Sequence, residues 1–186
     1  MSSSQVTAVV CAAFDPATDE AIYAVREHVR VAGIALPERP PHRPHFSLSA
    51  ARVPRDELEV VLDVAAWVAA RHEPIVVRLS EVGRFGRAGV VWLGPGANPA
   101  LVDLQRDVHS ALAERWPSAF GERSSPREWV AHCSLATRVP TPKLRDVQAA
   151  LTERYEPITG SIDALATILV GGRGDVGHVR LATTRG

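Results

Sequence analysis

Four short landmarks recur in the same order along this 186-residue chain, and a sequence built that way folds as two similar halves rather than as one unbroken pattern. Asp15-Pro16 is matched by Asn98-Pro99, His45-Phe46-Ser47-Leu48 by His132-Cys133-Ser134-Leu135, Arg52-Val53-Pro54 by Arg138-Val139-Pro140, and Glu73-Pro74-Ile75 by Glu156-Pro157-Ile158. The offsets stay between 83 and 87 residues, the drift that short insertions leave after a duplication. The expected organisation is a single domain of two approximate halves, 1–87 and 88–186. Each half would run strand, helix, strand, helix, strand, and a pseudo-two-fold axis would bring the equivalent motifs to one central cleft.

Local signals fill in those elements. Val6 to Phe14 is an apolar run followed by Asp15-Pro16, a cap residue with proline at the first helical position. Ile22, Val25, Val29 and Ala32 then recur at helical spacing up to Gly33. The proline-rich segment Pro37 to Pro44 reads as a loop that delivers His45, and Pro44 biases Arg43 toward an extended backbone. A second helix is expected near Pro54, with Leu58, Val61, Leu62, Ala65, Val68 and Ala69 as its apolar stripe. Pro74 to Val82 and Gly89 to Leu93 read as strands joined through Gly83-Arg84-Phe85-Gly86-Arg87. Asn98-Pro99 opens a third helix, Trp116 to Glu128 forms a polar loop, and Thr141-Pro142 caps a fourth helix. Ile158 to Val170 and His178 to Ala182 close the chain as strands around the glycine-rich turn Gly171 to Asp175.

The two histidine motifs carry the chemistry. Side chains alternate faces along a strand, so each His and its Ser point one way while Phe46, Leu48, Cys133 and Leu135 point into a core. If the strands are neighbours, two imidazoles and two hydroxyls converge. Histidine titrates near pH ~6.5, so one ring can be neutral while its partner is protonated, which supplies a general base and a general acid together. Opening a phosphodiester needs both, on opposite sides of phosphorus. Ser47 and Ser134 would hydrogen-bond the non-bridging oxygens, where negative charge grows.

Composition narrows the partners. Lys plus Arg is 21 and Asp plus Glu is 21, so no net basic field recruits long duplex nucleic acid, and a small nucleotide or an RNA terminus fits better. Cys11 and Cys133 sit in apolar runs and read as reduced core residues. Met1 to Gln5 lack a charged segment followed by an apolar stretch, and no run approaches the ~18 apolar residues of a membrane span, so a cytoplasmic chain is expected. His42 and His45 form an H-x-x-H pair that no neighbouring carboxylate or Cys cluster completes, and neither a metal nor a cofactor is expected. His28, His72, His109 and His178 read as ordinary surface or core residues, Trp92 as core, Arg43 as a solvated loop arginine, and Phe85 and Arg87 as ambiguous. No protein partner can be inferred. Nucleophile-elbow, phosphate-loop and C-x-x-C patterns do not occur.

The paired H-x-S-apolar motifs, their spacing and the duplicated α/β pattern resemble the 2H phosphoesterase superfamily, specifically its 2′-5′ RNA ligase-like cyclic phosphodiesterases, over nearly the whole chain. The resemblance implies an α+β bilobal fold whose antiparallel sheets line a cleft. It implies metal-independent hydrolysis of nucleoside or RNA 2′,3′-cyclic phosphates to 2′-phosphomonoesters, with reversible 2′-5′ joining in some members. His45 and His132 become the acid–base pair and Ser47 and Ser134 the phosphate ligands. His45 would donate and His132 accept, although related enzymes use the opposite roles. Arg127 and Trp129 match a basic-then-aromatic segment that precedes the second motif in the family and would hold phosphate and base, with Arg43 a further candidate contact. Serine stands in both motifs where threonine is commoner, and Ala131 where proline is frequent. A non-catalytic nucleotide-binding module, a 2′-5′ RNA ligase and an ADP-ribose cyclic phosphate phosphodiesterase are the alternatives.

Overall fold

Alternating apolar runs and capped amphipathic segments resolve into four α-helices and seven strands in the computed structural model, which describes residues 4–38 and 40–183. Met1 to Ser3 of the N-terminal segment and Arg39 of the proline-rich loop lie outside the described residues. The order is β1 (Gln5–Phe14), α1 (Pro16–Val31), β2 (His45–Pro54), α2 (Leu58–Ala69) and β3 (Ile75–Phe85), then β4 (Val90–Pro95), α3 (Pro99–Ala113), β5 (Cys133–Ala136), α4 (Thr141–Arg154), β6 (Ile158–Leu169) and β7 (Gly177–Arg180).

All strands join one antiparallel sheet in the order β2-β1-β6-β3-β4-β5, with β7 added to β6. That order is symmetric about the β6–β3 pair. The third strand of each repeat, β3 or β6, does not lie beside the first strand of its own repeat; it pairs with the first strand of the other. The two motif strands, β2 and β5, therefore sit at opposite ends of the sheet, and the sheet curls until they touch each other. The right-handed twist of a sheet supplies this curvature, and bulges at Val10/Cys11, Ala13/Phe14 and Leu79/Glu81 sharpen it.

The helices cover one face. Ile22, Val25 and Val29 of α1, Val61, Ala65 and Val68 of α2, Leu101, Leu104, Val108 and Leu112 of α3, and Leu144, Val147 and Leu151 of α4 form one core cluster with Phe14, Phe46, Leu48, Leu93, Cys133 and Leu135. Phe14 and Phe46 meet edge to face at 5.0 Å. The opposite face carries small, buried residues at its centre, Ala13, Ala164 and Ala166.

The helix caps also tie the halves together. Asp15 accepts the Thr18 amide at 2.9 Å as the N-cap of α1, and its other oxygen accepts the Ser161 amide of β6 at 2.9 Å. Asn98 accepts the Leu101 amide at 3.1 Å and donates Nδ2 to the Val76 carbonyl of β3 at 2.9 Å. Burial works against ionisation of Asp15, but these hydrogen bonds outweigh it and hold the carboxyl below its ordinary range.

Three expected details differ. Gly83, Arg84 and Phe85 belong to β3, paired with Trp92, Val91 and Val90, and the turn is shortened to Gly86–Gly89. Thr141 is the first residue of α4 rather than its cap; Pro140 holds the cap position and makes no side-chain hydrogen bond. The Trp116–Glu128 segment is more than a loop. It contains a 3-10 turn at Gly121–Ser124, and its Pro117–Ala119 backbone bonds to Ala50 and Arg52, covering the free edge of β2.

Candidate active site

Within β2, Phe46 and Leu48 are buried in the core, so His45 and Ser47 project from the other face; within β5, Cys133 and Leu135 are buried and Ser134 is exposed. His132 stands immediately before β5. The strands meet at the motifs: the Cys133 thiol lies against the His45 backbone amide, and the Trp129 indole donates Nε1–H to the Ser47 carbonyl at 2.9 Å. The two imidazoles are near enough that charge on His132 disfavours charge on His45.

Both rings are held in the same way. His45 Nδ1 is 2.7 Å from the carbonyl of Arg43, and His132 Nδ1 is 2.7 Å from the carbonyl of Val130, in each case two residues upstream. A carbonyl can only accept, so Nδ1 carries the proton in both rings and Nε2 is left to act as base when neutral or acid when charged. Burial pulls both pKa values below the ordinary histidine value, against the raising effect of those carbonyls.

The surroundings differ between the two. Phe85 stands edge-on to the His132 ring at 4.8 Å and 89°, and Trp92 lies 6.3 Å from it. Phe85 and Trp92 touch each other at 5.4 Å. Trp92 is thus on the site face and not in the core, contrary to the sequence expectation, and its indole Nε1–H is buried without a hydrogen-bond partner. Gly83 and Gly94 leave the space that its ring occupies, the one sequence signal that placed it. On the other side, His42 is 6.4 Å from His45, with its Nδ1 3.2 Å from the Gly174 carbonyl.

Arg43 is not a solvated loop residue. Its guanidinium bridges Asp19, at 2.7 and 2.9 Å, and the Phe14 carbonyl, which anchors the backbone whose carbonyl orients His45. Burial lifts the Asp19 carboxyl to about 6 in spite of the pull of Arg43. Arg127 is exposed on the turn before the second motif, and Trp129 is a half-buried brace between the motifs. Arg87 is exposed at the β3–β4 turn.

His45 and Ser134 open into a cleft of about 290 Å³ between α1, the proline-rich loop and β5, whereas His132 and Ser47 do not line it. Arg26, His42 and Arg43 also line it, and no Asp or Glu is among its lining residues. Ser47 shares the face of His45, with its hydroxyl against the Cys11 thiol. Burial pushes the Cys133 thiol up to about 12 and Cys11 higher still, so neither is a nucleophile. Among the described residues no group of three His, Cys, Asp or Glu side chains is placed to hold a metal, and no helix is long and apolar enough to cross a membrane.

The sequence model of the 2′-5′ RNA ligase superfamily matches residues 14–173. Comparison with curated proteins found no match. Among solved structures, apo E. coli LigT superposes with a TM-score of 0.63 at 14% identity, covering 97% of this chain and 100% of that one. E. coli LigT complexed with 3′-AMP gives 0.59 at 15% identity over the same shares. The TT0787 protein of Thermus thermophilus gives 0.61 at 19% identity, over 96% of this chain and 100% of that one.

Proposed function

Because the chain belongs to the 2′-5′ RNA ligase superfamily of 2H phosphoesterases, we propose that it hydrolyses a 2′,3′-cyclic phosphodiester, on a nucleotide or an RNA end, to the 2′-phosphomonoester. The observation that carries this reading is the matched pair of imidazoles, each with Nδ1 committed to a backbone carbonyl and Nε2 available. Water attacks phosphorus in line with the 3′ oxygen. One Nε2 takes a proton from the water, and the protonated Nε2 of the other histidine gives one to the departing 3′ oxygen. The P–O3′ bond breaks as the new P–O bond forms, and the enzyme ends with its two protonation states exchanged. Ser134 and Ser47 hydrogen-bond the non-bridging oxygens. The chain's own residues account for every proton in this scheme. The 3′-AMP complex of E. coli LigT supports a nucleotide-sized ligand for this fold.

The test is conversion of 2′,3′-cyclic nucleotides to nucleoside 2′-monophosphates in the presence of chelator. His45→Ala and His132→Ala should each lower kcat by ~10²–10⁴, with the double variant no worse than the poorer single one, because the pair acts as a unit. Full activity in either single variant, or dependence on added metal, overturns the scheme.

A further inference from the structure

The cleft contains a cation that the acid–base scheme does not use. Arg26 lies one helical turn beyond Ile22 on α1, and both side chains line the cleft. Arg26 is half-buried, and burial lowers its pKa from the ordinary arginine value; a guanidinium in a protein keeps its charge. Among the described residues it makes no hydrogen bond or ion pair, although its neighbour Glu27 pairs with Arg30. Arg43, the other guanidinium in the cleft wall, is already engaged by Asp19 and the Phe14 carbonyl. Partly desolvating a guanidinium whose nearby carboxylate, Glu27, is engaged by Arg30 costs free energy that a bound anion returns.

The repeat supplies a control. The offset that relates Asp15 to Asn98 relates Ile22 to Gln105 and Arg26 to His109. On that side Gln105 Nε2 donates to the Leu48 carbonyl at 3.1 Å and to the Ser124 carbonyl at 2.8 Å, and His109 Nδ1 lies 3.3 Å from Ser49 Oγ. The space beside β2 is closed by the protein's own hydrogen bonds. Its counterpart beside β5 stays open and carries an unpaired guanidinium. At about 290 Å³ the open cleft is many times the ~30 Å³ share of one water, so it takes more than a single small anion.

We propose that Arg26 is a second anion subsite, binding the phosphate on the 5′ oxygen of the nucleotide whose cyclic phosphate is cleaved. The preferred substrate then carries two phosphates: the cyclic one, and either a free 5′-phosphate or the internucleotide phosphate of an RNA end. A guanidinium meets two phosphate oxygens with two parallel N–H donors, which suits either source. This proposal rests on the hydrolase reading above.

The experiment compares kcat/KM of the wild type and Arg26→Met for adenosine 2′,3′-cyclic phosphate, its 5′-phosphorylated form and a dinucleotide ending in a cyclic phosphate. The wild type should favour both two-phosphate substrates by ~10- to 100-fold, mainly through KM, and Arg26→Met should bring that ratio to within about two-fold of unity. A preference shared by the 5′-monoester and the dinucleotide assigns the effect to phosphate; a preference for the dinucleotide alone overturns the subsite. An equal ratio in wild type and variant also overturns it. Calorimetric titration with adenosine 2′,5′-bisphosphate and adenosine 2′-monophosphate reads the subsite without turnover. Tighter bisphosphate binding that Arg26→Met abolishes, with no cyclic substrate hydrolysed, upholds the subsite and refutes the hydrolase. Hydrolysis without any discrimination does the reverse.

Discussion

The two histidines illustrate how a backbone selects a side chain's chemical role. A carbonyl two residues upstream holds each Nδ1–H, so Nε2 is the atom each ring presents, and no second carboxylate is needed to fix the tautomer. Burial then makes the charged form of both rings harder to reach, and charge on His132 adds to the effect at His45. The shift is downward, so the limbs of the kcat/KM profile of the free enzyme belong on the acid side of pH ~6.5. A bound phosphate offers the opposite charge and should move the kcat profile to higher pH. The same sign governs stability: an unfolded chain takes up these protons near pH ~6.5 while the folded one resists, so stability falls as pH drops through that window. A pH–rate series with both kcat and kcat/KM checks this, and a kcat/KM optimum above pH ~7 would contradict it. His45 and His132 stood out in the sequence because of their strand context. Arg43 reads there as a solvated residue or a candidate substrate contact, and its anchoring role is hidden because its ion pair depends on Asp19, which lies on a helix that the sequence does not connect to the loop.

Between elements, the aromatic group around His132 depends on two strands passing close together. Gly83 of β3 is the register partner of Trp92 of β4, and a Cβ at Gly83 would stand 2.1 Å from the indole. The ring lies over the glycine because nothing is there to displace it. Gly83→Ala should therefore push Trp92 aside, disturb its contact with Phe85 and His132, and lower kcat by ~10-fold or more, since a displacement of about 1 Å at a reacting group can cost that much. Gly86→Ala on the adjacent turn, where an added Cβ meets nothing within 4 Å, should leave activity unchanged. Tryptophan fluorescence and kcat for the two variants distinguish a positioned ring from a passive one. Trp92 reads as core in the sequence because a single aromatic in an apolar strand has no label for its face. Alternation within β4 is kept, with Val91 and Leu93 in the core and Trp92 turned to the other face, but which of the two faces meets the core is set by the neighbouring strands.

Across the molecule, the repeats are interlocked. β3 pairs with β4 and β6, and β6 pairs with β1, so each repeat contributes its third strand to the other's end of the sheet. The cap ties from Asp15 to Ser161 and from Asn98 to Val76 cross between the repeats in the same sense. Residues 1–87 expressed alone would leave β3 without either neighbour and β1 without one, exposing the edges and the apolar faces that the other half covers. Neither 1–87 nor 88–186 is expected to fold in isolation, and mixing the two should restore far-UV dichroism and activity together. A cooperative thermal transition in either fragment alone would show the interlock to be dispensable. It is this arrangement that brings β2 and β5, the two ends of one sheet, into contact.

Much of the architecture was open to reading residue by residue. Strand alternation settled which way His45, Ser47 and Ser134 point, and Asp15-Pro16 and Asn98-Pro99 marked the starts of α1 and α3, because those effects act over a few residues. Recurrence of the landmarks announced a duplicated α+β chain. Pairing partners were a different matter: a period of two states that a segment is a strand and which face is apolar, but any antiparallel neighbour satisfies it. The exchange of β3 and β6, the closure of the β2 edge by Pro117–Ala119, and the unpaired Arg26 in the cleft all come from contacts between segments far apart in the chain. Such contacts are chosen by the packing of the whole core, where each strand's place depends on what every other one has left uncovered.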